Sequence, residues 1–199
     1  MKLYYAPRAC SLASHIALRE TGLAFELVRV NNQTKRTEHD EDYLTINPKG
    51  YVAALKLDDG SVLTEAPALL QYIADLRPEA GLLAAPGSLA RVRQQEWLAF
   101  VNSEVHGNMT PLFYASTLPQ PTSDFFRARL TKRLDYAEQA LHGREWLGER
   151  FSVSDAYLFT VLGWTAHLGI DLAQWPALQA FVARVEARPA VQAALQAEG

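Results

Sequence analysis

The sequence contains little cysteine, no long hydrophobic run and no large excess of charge of one sign. With one cysteine in 199 residues, the chain cannot form an internal disulfide or a metal site built only from cysteines. No apolar run reaches the roughly 18 residues that a membrane-spanning helix needs. The formal net charge is −3, and acidic and basic residues are interspersed, so no basic stripe indicates nucleic acid or an anionic membrane. These absences favour a small molecule or another protein as the partner.

Metal-binding and export signals are missing as well. The five histidines lack a ligand spacing such as HExxH, and the sequence therefore predicts no metal site. Residues 1–8 are too polar, and are broken too early by Pro7, to resemble a signal peptide. We expect a cytoplasmic protein.

The first 80 residues alternate between strand-like and helix-like segments, whereas the remainder follows the helical period almost throughout. The predicted elements are strands at 2–5 and 25–30 around a helix at 11–22, a hairpin over 52–63, and a helix starting near residues 64–67. The first two strands should pair in parallel, because a helix connects them. This order of elements, βαβ followed by ββα, is typical of a thioredoxin-like domain.

The remaining sequence predicts an all-α second domain. Ser88 is the N-cap expected for a long helix that Pro111 should kink or end. Further helices are predicted at 123–141, 154–167 and 176–187, and Ser152 with Asp155 has the form of a capping box. We therefore divide the chain into an α/β thioredoxin-like domain at 1–80 and an all-α domain at 88–199.

Cys10 lies where the first strand gives way to the first helix. The positive end of a helix dipole and free backbone N–H groups favour a thiolate, so this position predicts a lowered thiol pKa. The alternative is a small buried apolar side chain, which is common for a lone cysteine. Because position 13 is Ala13, no CxxC dithiol exists, and any disulfide must form with another molecule.

Three further sets of polar residues are candidates for chemistry. Tyr5 and Ser11 flank the same strand end and offer hydroxyls to a thiolate, unless they serve only as a core-edge tyrosine and a capping serine. Glu65 and Ala66 open a helix, where a carboxylate side chain and free N–H groups suit the zwitterionic end of an amino acid. Glu65 alone is equally explained as a complement to the helix dipole.

Residues 102–106 mix polar groups into an otherwise apolar helix. His106 follows Glu104 by two positions and so lies on a different face of an α-helix, which makes a local pair unexpected. His106 is either a partly buried structural histidine or a residue that lines a cleft.

Together these segments resemble the cytosolic glutathione transferases, most closely the bacterial beta class, over the whole chain. No single motif is specific, but their order and spacing are. The motifs are MKLYY at 1–5, ACSL at 9–12, NPKGYV at 47–52, LTE at 63–65, EVH at 104–106 and FSVSDAY at 151–157.

The resemblance implies a homodimer that uses glutathione as a co-substrate in detoxification, beside a hydrophobic cleft for a second substrate. It assigns Cys10 to the glutathione sulfur, Lys35 to the glycyl carboxylate, the Val52 backbone to the cysteinyl unit, and Glu65 with Ala66 to the γ-glutamyl end. It also assigns Ser103, Glu104 and His106 to the site. Cleft residues would be Thr110, Leu112, Phe113, Tyr114 and Trp164, although helix packing explains them equally well.

The family has a proline after Val52, where this chain has Ala53. A cis bond before a residue other than proline costs roughly 2.5 to 4 kcal/mol, so we expect a trans Val52–Ala53 bond. The first functional hypothesis is conjugation of glutathione to hydrophobic electrophiles. The alternatives are glutathione-dependent thiol–disulfide exchange through Cys10, and a non-catalytic binding protein with the same fold.

Overall fold

The computed structural model describes residues 1–199 and divides the chain into two units. The first unit joins residues 1–84 to residues 187–199, and the second unit consists of residues 85–186. The division predicted from sequence, 1–80 and 88–199, differs at the C-terminal segment, which belongs to the first unit.

A five-stranded sheet forms the centre of the first unit. Its strands are β1 Lys2–Tyr5, β2 Glu26–Asn31, β3 Arg36–Thr37, β4 Ala54–Lys56 and β5 Val62–Thr64, in the spatial order β3-β2-β1-β4-β5. β1 pairs in parallel with β2, as predicted, and β4 pairs antiparallel with both β1 and β5. The short strand β3, which pairs antiparallel with β2, was not predicted from the polar sequence in which it lies.

Nine α-helices and four short 3-10 or π segments complete the chain. The helices are α1 Ser11–Thr21, α2 Tyr43–Ile46, α3 Ala66–Asp75, α4 Leu89–Phe100, α5 Gly107–Met109, α6 Gln120–Leu141, α7 Val153–Leu162, α8 Pro176–Glu186 and α9 Pro189–Glu198. The other segments are 3-10 turns at Pro78–Ala80, Thr110–Thr117 and Leu172–Gln174, and a π-helix at Val101–His106. No helix of the chain is both long enough and apolar enough to cross a bilayer.

Helices α1 and α3 pack together and build much of the core of the first unit. Ile16 and Leu18 of α1, and Leu69 and Ile73 of α3, are fully buried. Burial of each such side chain contributes about 1.5–3 kcal/mol of hydrophobic free energy. Gly22 ends α1 in the left-handed conformation that favours glycine at this position. The sheet and these helices thus fix the point where β1 leads into α1.

Helix α9 packs against α1, which explains why the C-terminal segment belongs to the first unit. At the start of α9, Arg188 forms a two-pronged ion pair with Glu20, with N–O distances of 2.6 and 2.9 Å. At its end, Glu198 accepts a hydrogen bond from the backbone N–H of Arg8 at 2.8 Å and contacts His15 at 3.0 Å. Sequence periodicity did not predict this helix.

The second unit is all-helical, as predicted. Ser88 caps α4 by accepting a hydrogen bond from the Arg91 N–H, but regular α-helix gives way to the π segment at Val101, before Pro111 is reached. Every residue of α7 is buried, and the helix ends at Leu162 rather than at residue 167. Asp155 accepts the Ser152 N–H at 2.9 Å, which confirms the predicted capping box.

Candidate functional site

Cys10 lies directly before α1, and its sulfur points to the segment that precedes β4. The Sγ–H donates to the carbonyl oxygen of Val52 at 3.0 Å. Burial raises the pKa of the Cys10 thiol to about 11. Hydrogen bonds from the backbone N–H groups of Cys10 and Ser11 act to lower this pKa, but their effect is smaller. The prediction of a lowered pKa is therefore wrong. The helix-dipole argument considered only the local chain, whereas removal of the sulfur from water dominates.

The two hydroxyls proposed as partners of Cys10 are those of Tyr5 and Ser11. Ser11 is fully buried, and its Oγ accepts the Ala6 N–H at 3.3 Å and donates to the Ala6 carbonyl at 3.2 Å. The Tyr5 ring lies 6.4 Å from the His15 ring, and burial raises the pKa of its hydroxyl. Neither hydroxyl bonds to Sγ, so their assignment to the site stays a prediction.

The peptide bond between Val52 and Ala53 is cis. The expectation of a trans bond is therefore wrong, because it rested on the preference of an isolated dipeptide, whereas both residues here are buried within the first unit. The Val52 carbonyl accepts from Cys10, and the Val52 N–H donates to no protein acceptor.

Glu65 connects β5 to α3 in a left-handed conformation, with φ of 71°. Its carboxylate is exposed and pairs with the Lys49 ammonium at 2.7 Å, which also donates to Thr64 Oγ1 at 3.0 Å. Ala66 and Pro67 form the first turn of α3, and Pro67 has no N–H to offer. The negative charge of Glu65 also acts to raise the Cys10 pKa, which indicates that the two side chains share one region of the unit.

Lys35 contacts the loop that precedes Val52. Its Nζ donates to the Gly50 carbonyl at 2.8 Å, two residues before Val52. Gly50 has a φ of +70°, and a Cβ added there would approach Leu44 Cδ2 to 3.2 Å. The loop over residues 49–53 therefore brings a cation, an open backbone N–H and the Cys10 thiol to one part of the first unit.

Ser103, Glu104 and His106 lie on the π-helix Val101–His106 of the second unit. The Ser103 hydroxyl donates to the Ala99 carbonyl at 2.9 Å. The Glu104 carboxylate pairs with Arg133 and Arg129 of α6, and the Arg133 guanidinium lowers the pKa of this carboxyl. Glu104 thus has cationic partners within its own unit.

His106 is half-buried and lies beside α7. Its Nδ1 is 2.8 Å from the Tyr157 hydroxyl, which donates to Asn102 Oδ1 at 2.9 Å. Its ring meets Trp164 edge-on, with centroids 4.9 Å apart and planes at 71°. Burial lowers the pKa of His106, because it disfavours the charged form of the ring. No group of three or more His, Cys, Asp or Glu side chains in the chain is arranged to hold a metal ion.

Two family models match the chain. One is described as the N-terminal domain of glutathione S-transferase and matches residues 8–76, and the other is described as its C-terminal domain and matches residues 100–189. The chain belongs to the glutathione S-transferase family.

Individual family members are similar over the full length. Glutathione S-transferase GstA of Escherichia coli O157:H7 is 48% identical over 200 residues, with 100% of this chain and 99% of that protein covered. A sphingomonad glutathione S-transferase complexed with glutathione is 48% identical, with a TM-score of 0.95 and coverage of 100% and 99%. The beta-class enzyme of Sphingomonas chungbukensis is 46% identical, again with a TM-score of 0.95 and coverage of 100% and 99%.

These similarities confirm the resemblance to bacterial beta-class glutathione S-transferases and the fold that it implied. Sequence reasoning missed several side chains that contact the candidate residues, among them Lys49, Asn102 and Tyr157. Asn102 had a sequence signal, since it precedes His106 by four positions and lies among the same polar residues. Tyr157 is 51 residues from His106, and no local pattern relates the two.

Proposed function

We propose that this glutathione S-transferase binds reduced glutathione and joins its sulfur to hydrophobic electrophiles. The observation that carries this proposal is the arrangement around Val52, where a cysteine thiol lies 3.0 Å from the carbonyl and the adjacent N–H has no acceptor. A peptide thiol such as glutathione pairs naturally with an extended backbone that offers a free donor. The sphingomonad relative, described in complex with glutathione, supports the same substrate.

The charges of the first unit suit a tripeptide with a carboxylate at one end and a zwitterion at the other. Lys35 supplies a cation for the glycyl carboxylate. Glu65 supplies a carboxylate for the γ-glutamyl ammonium, and the N–H of Ala66 is a donor for the adjacent carboxylate. In this proposal Lys49 competes for Glu65, and glutathione weakens the exposed Lys49–Glu65 pair when it binds.

Cys10 acts as a hydrogen-bond donor in this proposal. With a pKa of about 11 the thiol is protonated at pH 7, so it is a poor nucleophile and a competent donor to a neighbouring thiolate. Stabilisation of the glutathione thiolate then prepares that sulfur to attack the electrophilic carbon. The same pKa argues against thiol–disulfide exchange through Cys10.

The electrophile would bind on aromatic side chains of the second unit. Phe113 packs against Trp164 and His167, with centroids 5.6 and 5.9 Å apart, and both Phe113 and Tyr114 are exposed. Leu112 is buried and serves packing, whereas Thr110 bonds to the His106 carbonyl. An exposed aromatic surface suits an aromatic or otherwise apolar electrophile.

A homodimer, a cytoplasmic location and a role in detoxification are further parts of this proposal. The resemblance to the beta class motivates all three. Leu89, Val92 and Tyr136 of the second unit are large apolar side chains that remain exposed in the single chain, and they offer a surface for a second copy. Sedimentation velocity at micromolar concentration would distinguish a dimer from a monomer.

Calorimetric titration with reduced glutathione tests the proposed function. We expect saturable binding, and conjugation of glutathione to 1-chloro-2,4-dinitrobenzene followed by absorbance. No binding at millimolar glutathione would overturn the proposal. A stable glutathione adduct at Cys10, formed from oxidised glutathione and detected by intact mass, would instead favour exchange, with Cys10→Ala as the control.

A further inference from the structure

Two side chains of the first unit converge on one backbone carbonyl beside Val52. The hydroxyl of Tyr43 donates to the carbonyl oxygen of Tyr51 at 2.8 Å, and the Nδ2 of Asn47 donates to the same oxygen at 2.7 Å. Tyr43 begins α2 and Asn47 directly follows this helix, so the two residues are four positions apart and share one face of the turn. The short helix therefore directs both donors to one acceptor.

Both donors are buried and fixed in orientation. Tyr43 is fully buried, and Asn47 is 3% exposed. The Tyr43 ring packs against Tyr4, with centroids 5.8 Å apart, and burial raises the pKa of its hydroxyl to about 12, so the hydroxyl keeps its hydrogen at neutral pH. The Asn47 Oδ1 accepts the Lys49 N–H at 3.2 Å, which leaves Nδ2 to face the carbonyl. Each side chain therefore presents a hydrogen to Tyr51.

The bonds to the Tyr51 carbonyl set the direction of the Val52 N–H. The carbonyl and this N–H belong to one peptide group, which is trans, since the only cis bond of the chain follows Val52. In a planar trans peptide group the C=O and N–H bonds point in opposite directions. The side chain of Tyr51 is exposed, so within this chain the residue is anchored by its carbonyl. The Val52 N–H, which has no protein acceptor, therefore points away from Tyr43 and Asn47.

The next peptide group is held as well. Cys10 donates to the Val52 carbonyl at 3.0 Å, so both carbonyls that flank the Val52 N–H are bonded to side chains. Hydrogen bonds to a carbonyl polarise its peptide group and strengthen the attached N–H as a donor. One open donor thus lies between two anchored carbonyls.

We propose that Tyr43 and Asn47 are positioning residues, which fix the Tyr51–Val52 peptide group so that the Val52 N–H binds the substrate. The inference rests on the proposed function for the identity of that substrate, reduced glutathione. An N–H that binds the substrate and the transition state alike affects KM rather than kcat. The two side chains therefore act on glutathione affinity from within the core of the first unit.

The placement of the peptide group can be measured without glutathione, which separates this test from the proposed function. The experiment compares the ¹³C carbonyl resonance of Tyr51 and the amide resonance of Val52 in the wild type and in Tyr43→Phe. Loss of one donor shields the carbonyl carbon, so we expect the Tyr51 carbonyl to shift upfield and the Val52 amide to shift with it. Tyr4→Phe, the same change on the ring that packs against Tyr43, should leave both resonances in place. Unchanged resonances in Tyr43→Phe would overturn the proposal.

Steady-state kinetics of the full chain test the effect on glutathione. In Tyr43→Phe we expect KM for glutathione to rise roughly fivefold, the effect of one hydrogen bond, while kcat stays within about twofold. A wild type that binds no glutathione would overturn the proposed function and this inference with it. Glutathione binding by the wild type with an unchanged KM in Tyr43→Phe, or a fall in kcat at constant KM, would overturn this inference alone.

Asn47→Asp tests the second donor. The substitution keeps the shape of the side chain and the acceptor for the Lys49 N–H, but it replaces the donor to Tyr51 by a carboxylate oxygen, which repels the carbonyl. We expect a rise in KM for glutathione at least as large as that of Tyr43→Phe. A wild-type KM in folded Asn47→Asp would contradict the positioning role, even if Tyr43→Phe failed to fold.

Discussion

The two units each contain a buried or half-buried histidine, and the two rings differ in how many of their nitrogens the protein uses. His15 of the first unit is fully buried, with Nδ1 at 3.0 Å from Glu198 and Nε2 accepting from Arg19 Nε at 3.2 Å. His106 of the second unit has one bonded nitrogen and one without a protein partner. A ring whose two nitrogens are both bonded to protein groups has no free nitrogen for a ligand. We therefore expect His15 to serve stability, whereas His106 has a nitrogen available for a ligand.

Removal of His15 should have the largest effect on stability. His15→Leu leaves the Glu198 carboxylate and the Arg19 Nε without their ring partner, and loss of one member of a buried polar pair costs about 3–5 kcal/mol. We expect the free energy of unfolding in urea to fall by this amount. His39→Leu, the same change at an exposed histidine, should stay within about 0.5 kcal/mol. Equal losses of unfolding free energy in the two variants would show that the buried histidine contributes no more to stability than an exposed one.

Removal of the donor to His15 should have a smaller effect. Arg19→Met keeps an apolar stem but removes the guanidinium, which donates to Nε2 and lies 5.3 Å from the centroid of the Phe25 ring. Each of these two contacts is worth about 1 kcal/mol. Urea denaturation measures the change. A loss as large as that of His15→Leu would mean that Arg19 contributes as much to stability as the His15 ring does.

The titration of His106 should show the direction of its pKa shift. Burial lowers the pKa of this ring below its ordinary value of 6.5, because the charged form is disfavoured. We therefore expect the ring to become protonated only below pH 6.5, as followed by its C–H resonances in NMR, with His106→Asn for assignment. A midpoint above 6.5 would show that the ring is stabilised in its charged form.

The sequence was sufficient for much of the fold because the relevant signals are local. The alternation in β1 and β2, the glycine that ends α1 and the serine that caps α4 each act within a few residues. Helix α9 was missed although Pro189 marks its first turn, since its alanine-rich sequence gives only a weak apolar stripe. Its anchors, Glu20 and His15, lie more than 160 residues away in the chain.

The site was less predictable because its chemistry depends on distant contacts. The helix start at Cys10 was predicted, but the thiol pKa is set by burial next to Val52, which is 42 residues away. Asn102 and His106 are four positions apart, a spacing that places two residues on one face of an α-helix. Their shared partner Tyr157 lies more than 50 residues further along the chain, and no local pattern predicts it.

The most direct test of this account is kcat/KM for conjugation of glutathione to 1-chloro-2,4-dinitrobenzene, measured in parallel for Arg19→Met and His106→Asn and normalised to folded protein. His106→Asn replaces the imidazole by a smaller polar side chain. The account predicts a fall of about 100-fold for His106→Asn, the scale of general base catalysis, and a change of less than about twofold for Arg19→Met. Wild-type activity in His106→Asn, or equal losses in both variants, would contradict it.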